Sequence, residues 1–395
     1  MSKLYGNGIN DDTAAIQEML DSGMSEVYLE APEKFYLISK TLKIHSNQTI
    51  RMSPTTVIKL ADGSDCCMLE NADFDCWSEN ICVDGGIWDC NNINQTPNPF
   101  HFPDKNGKKL YQNLGMTSEY KNDFEFREKV FHTFTKFPSV YTGIGMRFCR
   151  IKGFTLKNIV IKNPVIFGAQ LGYIEEFTIR DIRFDYKVGN PKLWNMDGIH
   201  IEGNCKNGYI SNLQGTCHDD LLAMTSDDSL YGPIENIVVD GIIAENAHSA
   251  VRLLSWGIPI KNITIKNVFG SYYVYCIGIT RYYGDGSQRG VMENIVLENI
   301  SAQACHGTRD VAGGNYPVIW IQDGLDIDGL TVKNVYRDEK TYHTPLFKLD
   351  NNAKVKRLYI DNIVQKNHLD CEIPFIVLDG EVEDYTLGFN KEYKM

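Results

Sequence analysis

The chain has 395 residues, of which 43% are hydrophobic and 23% charged, and a net charge of −12. That is enough apolar material for a sizeable buried core, and the acidic balance, with no lysine- and arginine-rich run, argues against nucleic acid and anionic membranes as partners. No stretch has the apolar length of a signal peptide or a membrane span, so the sequence as it stands reads as cytoplasmic, or as secreted if a leader has been removed.

In chain order, the first predicted element is a short helix in "NDDTAAIQEMLDSG". Asp12 is its expected cap, Ile16, Met19 and Leu20 its apolar face, and Gly23 its terminator. Residues 1–65 then read as an N-terminal cap followed by the first strands, "VYLEAPEKFYLISKTLKI". The phrase "GNGINDDTAAIQ" followed by "FYLISKTLKI" resembles the opening of pectin-active β-helix enzymes and phage tailspikes. Eleven cysteines, five of them between Cys66 and Cys90, form no CxxC pair and no zinc-like spacing, and are expected as reduced thiols. Residues 93–140 lack any repeat and are rich in aromatic and charged residues, as expected of an inserted loop that serves as a lid or an edge-covering flap.

From residue 141 to 380 two short phrases alternate. The first is "FTLKNI" at Phe154, returning as "FTIRDI", "YISNL", "IVVDGI", "ITIKNV", "IVLENI", "LTVKNV" and "LYIDNI". The second is "GMRFCR" at Gly145, returning as "AQLGY", "GIHIEG", "LLAMTS", "AVRLLS", "CIGITR", "PVIWIQ", "PLFKLD" and "PFIVLD". Both alternate apolar and polar residues with the period of a strand, and no helical pattern separates them. Period-two strands returning at solenoid intervals predict an all-β fold, a single-stranded right-handed parallel β-helix with an N-terminal capping helix, as one domain over 1–395. The recurrent corner residues Asn158, Asn212, Asn267, Asn299, Asn334 and Asn362 suit a left-handed turn, and their amides can bond along the stack.

Equivalent positions in such a fold stack one coil apart, so the second phrases are aligned to find columns. "NMD" ends at Asp197, "HDD" at Asp219 and Asp220, "AHS" contains His248, and Arg281 follows "CIGIT". Three carboxylates, a histidine and an arginine are thereby expected to converge from four consecutive coils. Packed carboxylates do not all ionise together, which sets a proton donor beside an acceptor, as glycoside hydrolysis requires. Taken alone, an Asp pair at a corner is turn chemistry. Asp227 and Asp228, with no partners in register, are expected to form a solvated turn. Trp256 is expected as packing or as a sugar platform.

"NMDGIHI", "HDDLLAM", "AHSAVRLLSWG" and "RYYG" resemble, in order and approximate spacing, the four motifs of glycoside hydrolase family 28, the polygalacturonases: Asn-Thr-Asp, Gly-Asp-Asp, Gly-His-Gly and Arg-Ile-Lys. The resemblance implies Asp219 as general acid, Asp197 and Asp220 as the groups that activate water, and His248 as the residue that tunes the acid. It also implies Arg281 at the substrate, inversion of configuration, and no metal or other cofactor. Asn195, His218, Arg252 and Tyr283 complete the expected substrate contacts. The sequence departs from the motifs at Met196, His218, Ala247 and Ser249. Tyr283 stands where the family has a uronate-binding lysine, which leaves Arg252 as a substitute cation. The expected partner is an oligosaccharide or polysaccharide; sugar identity and oligomeric state are not legible. Two other classes stay open on the same scaffold, a calcium-dependent polysaccharide lyase with Arg252 or Arg281 as base, and a non-catalytic carbohydrate-binding β-helix.

Overall fold

A computed structural model describes residues 2–109, 112, 141–228, 230–281, 288–307 and 314–395. The chain is a right-handed parallel β-helix built as two compact units, Met1–Ile201 and Glu202–Met395. Among the described residues no helix is long and apolar enough to cross a membrane.

In the first unit the helix Thr13–Asp21 buries Ala15, Ile16 and Leu20. Gln17 ties it to the strand Leu42–Ile44, its amide donating to the carbonyl of Lys43 and accepting from the Lys43 N–H. Asp12 stands at the helix N-cap but makes no side-chain capping bond. Its buried carboxylate instead accepts N–H bonds from Tyr5, Gly6 and Leu37, pinning the entering chain against the first strands. Asp11 serves the helix start, accepting from the Thr13 N–H. The strands Met146–Lys162 and Ala169–Asp185 pair in parallel, Phe154 on Phe177, Leu156 on Ile179 and Ile159 on Ile182.

The second unit repeats this pattern in more coils. Ile237, Ile263, Ile295, Leu330 and Leu358 stack in one inward column, and Val239, Ile265, Leu297, Val332 and Ile360 in the next. These side chains are almost fully buried. β-Branched residues dominate because they pack well on a pleated surface, and each buried side chain contributes about 1.5–3 kcal/mol.

All six corner asparagines have the positive φ expected of them, between 53° and 60°. Four are linked amide to carbonyl: Asn362 donates to Asn334 at 2.8 Å, Asn334 to Asn299 at 3.0 Å and Asn299 to Asn267 at 3.2 Å. A second ladder runs through Asn294, Asn262, Asn236 and Asn207, which the phrase alignment did not mark. The eleven cysteines are free. Burial pushes the Cys66 thiol up to about 11 and raises Cys90 and Cys276 further, so these thiols stay protonated.

Breaking a rung tests the corner chemistry. Asn334→Ala removes two amide bonds and puts a residue less tolerant of the left-handed region at φ 57°, and is expected to destabilise by about 2 kcal/mol in denaturant unfolding. Asn334→Gly keeps the backbone accessible and should lose only about half of that. Equal losses would mean that the ladder, not the backbone, sets the cost.

Candidate active site

The strands Asp220–Thr225, Ser249–Leu254 and Ile277–Thr280 lie side by side in the second unit. Their register places Asp220 opposite Ser249, Leu222 opposite Val251, and Val251 opposite Ile277. Leu222, Val251 and Ile277 face the core and fix the depth of each strand. The acidic pair therefore sits where the chain enters the strand.

Asp220 is fully buried, whereas the Asp219 side chain keeps 15% of its exposure. Nε of Arg252 lies 2.9 Å from Oδ2 of Asp220, and its side chain is 12% exposed. The Ser249 hydroxyl donates to Oδ1 of the same carboxylate, and the Tyr275 hydroxyl approaches that oxygen at 3.4 Å. His248 links the two acids: its Nδ1 is 2.7 Å from Oγ of Ser249 and 3.6 Å from Oδ1 of Asp219. Because Ser249 donates to Asp220, the imidazole proton belongs on Nδ1 when His248 donates to Ser249. Gly278 makes room for Tyr275; a Cβ there would lie 2.7 Å from the tyrosine ring. The rings of Tyr316 and Trp320 pack against Tyr275 and extend the cluster as an aromatic wall.

The structure thus brings together Asp219, Asp220, His248 and Arg252. Arg281 is not with them. Register runs from Asp220–Ser249 at one end of these strands to Leu254–Thr280 at the other, so Arg281 follows the far end, roughly 16 Å along the strand direction. There its guanidinium donates to the Gln288 carbonyl and faces Asp323 at 4.0 Å, packed over Gly324. The cation beside the acids is Arg252. Tyr283 lies outside the described residues. His218 is buried. Asp227 also departs from expectation: it is buried and accepts the N–H groups of Trp256 and Ile258, so it fastens a turn from inside. Trp256 is buried packing.

Asn195 and Asp197 belong to the first unit. Asn195 takes the left-handed conformation at φ 59°, turning the chain into Asp197. Asp197 is fully buried, with Oδ2 2.6 Å from Nδ1 of His200. The His200 ring stacks on Phe167, centroids 4.0 Å apart. The Asp-x-x-His spacing in "DGIH" was the available signal for this pair. Of the expected loop at 93–140, the described beginning is anchored in the same unit, with Phe102 stacked on Trp194 at 5.6 Å and Asn190 donating to the carbonyls of Asn92 and Gln95. Most of the remainder lies outside the described residues.

The fold has solved counterparts. The family 28 exopolygalacturonase of Yersinia enterocolitica superposes with a TM-score of 0.54 at 12% identity, over 97% of this chain and 76% of that one. The mannuronan C-5 epimerase AlgE6 A-module of Azotobacter vinelandii gives 0.51 at 11% identity, over 99% and 97%. PfbA, a surface adhesin of Streptococcus pneumoniae, gives 0.51 at 13%, over 98% and 90%. At these identities the likeness carries the fold alone, and a hydrolase, an epimerase and an adhesin share it. No protein-family model matches the sequence, and no curated protein does.

One ligand atom from each of Asp219, Asp220 and His248 lies within 4.8 Å of the others, a spacing that a metal ion could bridge. The donor set suits calcium poorly. Calcium takes six to eight oxygens, and here one ligand is a ring nitrogen and one carboxylate already faces a guanidinium.

Removing one member of a buried ion pair leaves an uncompensated charge. Arg252→Met is therefore expected to destabilise by about 3 kcal/mol in urea unfolding, and the double variant Arg252→Met/Asp220→Asn by clearly less. Additive losses would show that the two side chains do not depend on each other.

Proposed function

We propose that the chain is a polygalacturonase-like glycoside hydrolase acting on a complex polysaccharide or its oligosaccharides. The observation that carries the proposal is the unlike surroundings of two adjacent carboxylates. Asp220 is buried and charge-compensated by Arg252, which suits a group that stays ionised; Asp219 is more exposed and faces His248.

In this mechanism Asp219 protonates the glycosidic oxygen as the bond to the anomeric carbon breaks. Asp220 accepts a proton from the water that attacks that carbon, so the products are a free leaving hydroxyl and a new reducing end. The motif order in the sequence adds Asp197 as a further water-activating carboxylate, and the same resemblance supplies inversion. Arg252, which the sequence offered as a substitute cation, is the substrate cation: the guanidinium N–H donors that do not face Asp220 can meet a sugar hydroxyl or carboxylate. Asn195, His218 and Tyr283 remain substrate contacts on the resemblance alone. Ser249, which replaces a motif glycine, is a positioning residue that holds His248 and Asp220 in one hydrogen-bonded line.

Plant oligosaccharides and aryl-glycosides screened for new reducing ends supply the test. Asp219→Asn is expected to lower turnover by about a hundredfold or more while the protein stays folded. A product with a new double bond, absorbing in the ultraviolet and lost on chelation, would replace the hydrolase with a lyase. Activity untouched by Asp219→Asn would remove the assignment.

Ser249→Ala is expected to lower kcat about tenfold with little change in KM, and Ser249→Thr to restore most of it. A variant indistinguishable from wild type would leave Ser249 outside the machinery.

A further inference from the structure

On a different strand set of the second unit, a groove of about 460 Å³ runs across successive coils. It lies on the strands Ile234–Ala247, Ile260–Tyr272, Gly290–Ala304 and Leu330–Glu339, and not on those that carry Asp220 and Arg252. One wall is a column in strict register: Ile243 opposite Phe269, Phe269 opposite Ser301, and Ser301 opposite Tyr336. Ile243 is 52% exposed and Phe269 44%, unusual for neighbouring large apolar residues on one sheet. Two residues further along each strand stands a polar column, Glu245, Ser271, Gln303 and Asp338. The ladder between the first two strands is interrupted beside the columns. There a register shift follows Ala244, and Gly270, at φ +143°, admits the Ala244 carbonyl where any Cβ would collide.

We propose that this groove binds a segment of a neutral, extended polysaccharide chain, as a second carbohydrate site separate from the acid cluster. Three observations select that occupant. The wall offers apolar and aromatic faces for the C–H faces of pyranose rings, while the facing column offers carboxylate, hydroxyl and amide groups for their hydroxyls. Successive coils advance by roughly 4.8 Å, close to the rise of one residue in an extended β-1,4-linked pyranose chain, so each coil meets one sugar. Phe269 and Tyr336, two coils apart, would then contact alternate residues. The polar column carries Glu245 and Asp338, and the Asp338 carboxylate is already engaged by His368 at 2.6 Å and Lys340 at 3.2 Å. The Glu245 carboxylate would repel a polyuronate here, whereas a neutral chain can donate its hydroxyls to it. The groove stands whether or not the acid cluster hydrolyses glycosides.

Calorimetric titration of the full chain carrying Asp219→Asn with cellohexaose tests the proposal, with hexagalacturonate as the charged comparison. Binding of cellohexaose is expected, weakened at least tenfold by Phe269→Ala and abolished by Ser301→Arg, which fills the groove from a half-buried position on its wall. An unaltered melting transition for the groove variants would establish that they fold. Absence of cellohexaose binding, binding insensitive to both groove variants, or tighter binding of hexagalacturonate at the groove would each overturn it. Self-association that disappears with Phe269→Ala, without any sugar binding, would reassign the face to a second copy of the chain.

Discussion

Everything in the second unit depends on strict one-coil register between stacked parallel strands. Inward columns such as Leu222, Val251 and Ile277 leave no freedom to slip, because a shift of one residue would turn every aliphatic side chain outward. Positive-φ asparagines hold the corners, and their amide ladders oppose sliding from one coil to the next. Register fixed in this way lets residues distant in sequence act as neighbours. Asp220 and Ser249 are 29 positions apart and bonded side chain to side chain.

The inward columns are monotonous, and the outward ones are where this chain is individual. Ala223, Arg252, Gly278, Trp320 and Lys348 occupy one outward column in succession. Small residues at 223 and 278 flank Arg252, and the gap at 278 admits the Tyr275 ring. A second outward column carries Ile243, Phe269 and Tyr336. The same scaffold thus offers two faces with different chemistry, one charged and partly enclosed, the other amphipathic and open.

Much of this was legible in the sequence, because strand alternation and a repeated corner asparagine are local signals. So was the convergence of Asp219, Asp220 and His248, since each stands at the start of its strand. Arg281 misled because it ends a phrase, and phrase boundaries say nothing about which strand end carries the cluster; the pairing of Leu254 with Thr280 does. Asp12 and Asp227 misled for a related reason. A carboxylate before a helix or at a turn can serve its own segment or reach a distant N–H, and sequence spacing does not distinguish the two. Ser249, Tyr275 and His200 act only through partners brought close by folding. The groove was invisible for the same reason: Phe269 and Tyr336 look like ordinary strand residues until their columns are aligned.

The central claim is that the Asp219–Asp220 pair, organised by His248, Ser249 and Arg252, hydrolyses a glycosidic bond. Time-resolved proton NMR of the first product formed from a cleaved oligosaccharide tests it most directly. The account predicts a new reducing end that appears with inverted anomeric configuration and then mutarotates. A retained anomer, an unsaturated sugar or a product epimerised without chain cleavage would contradict it.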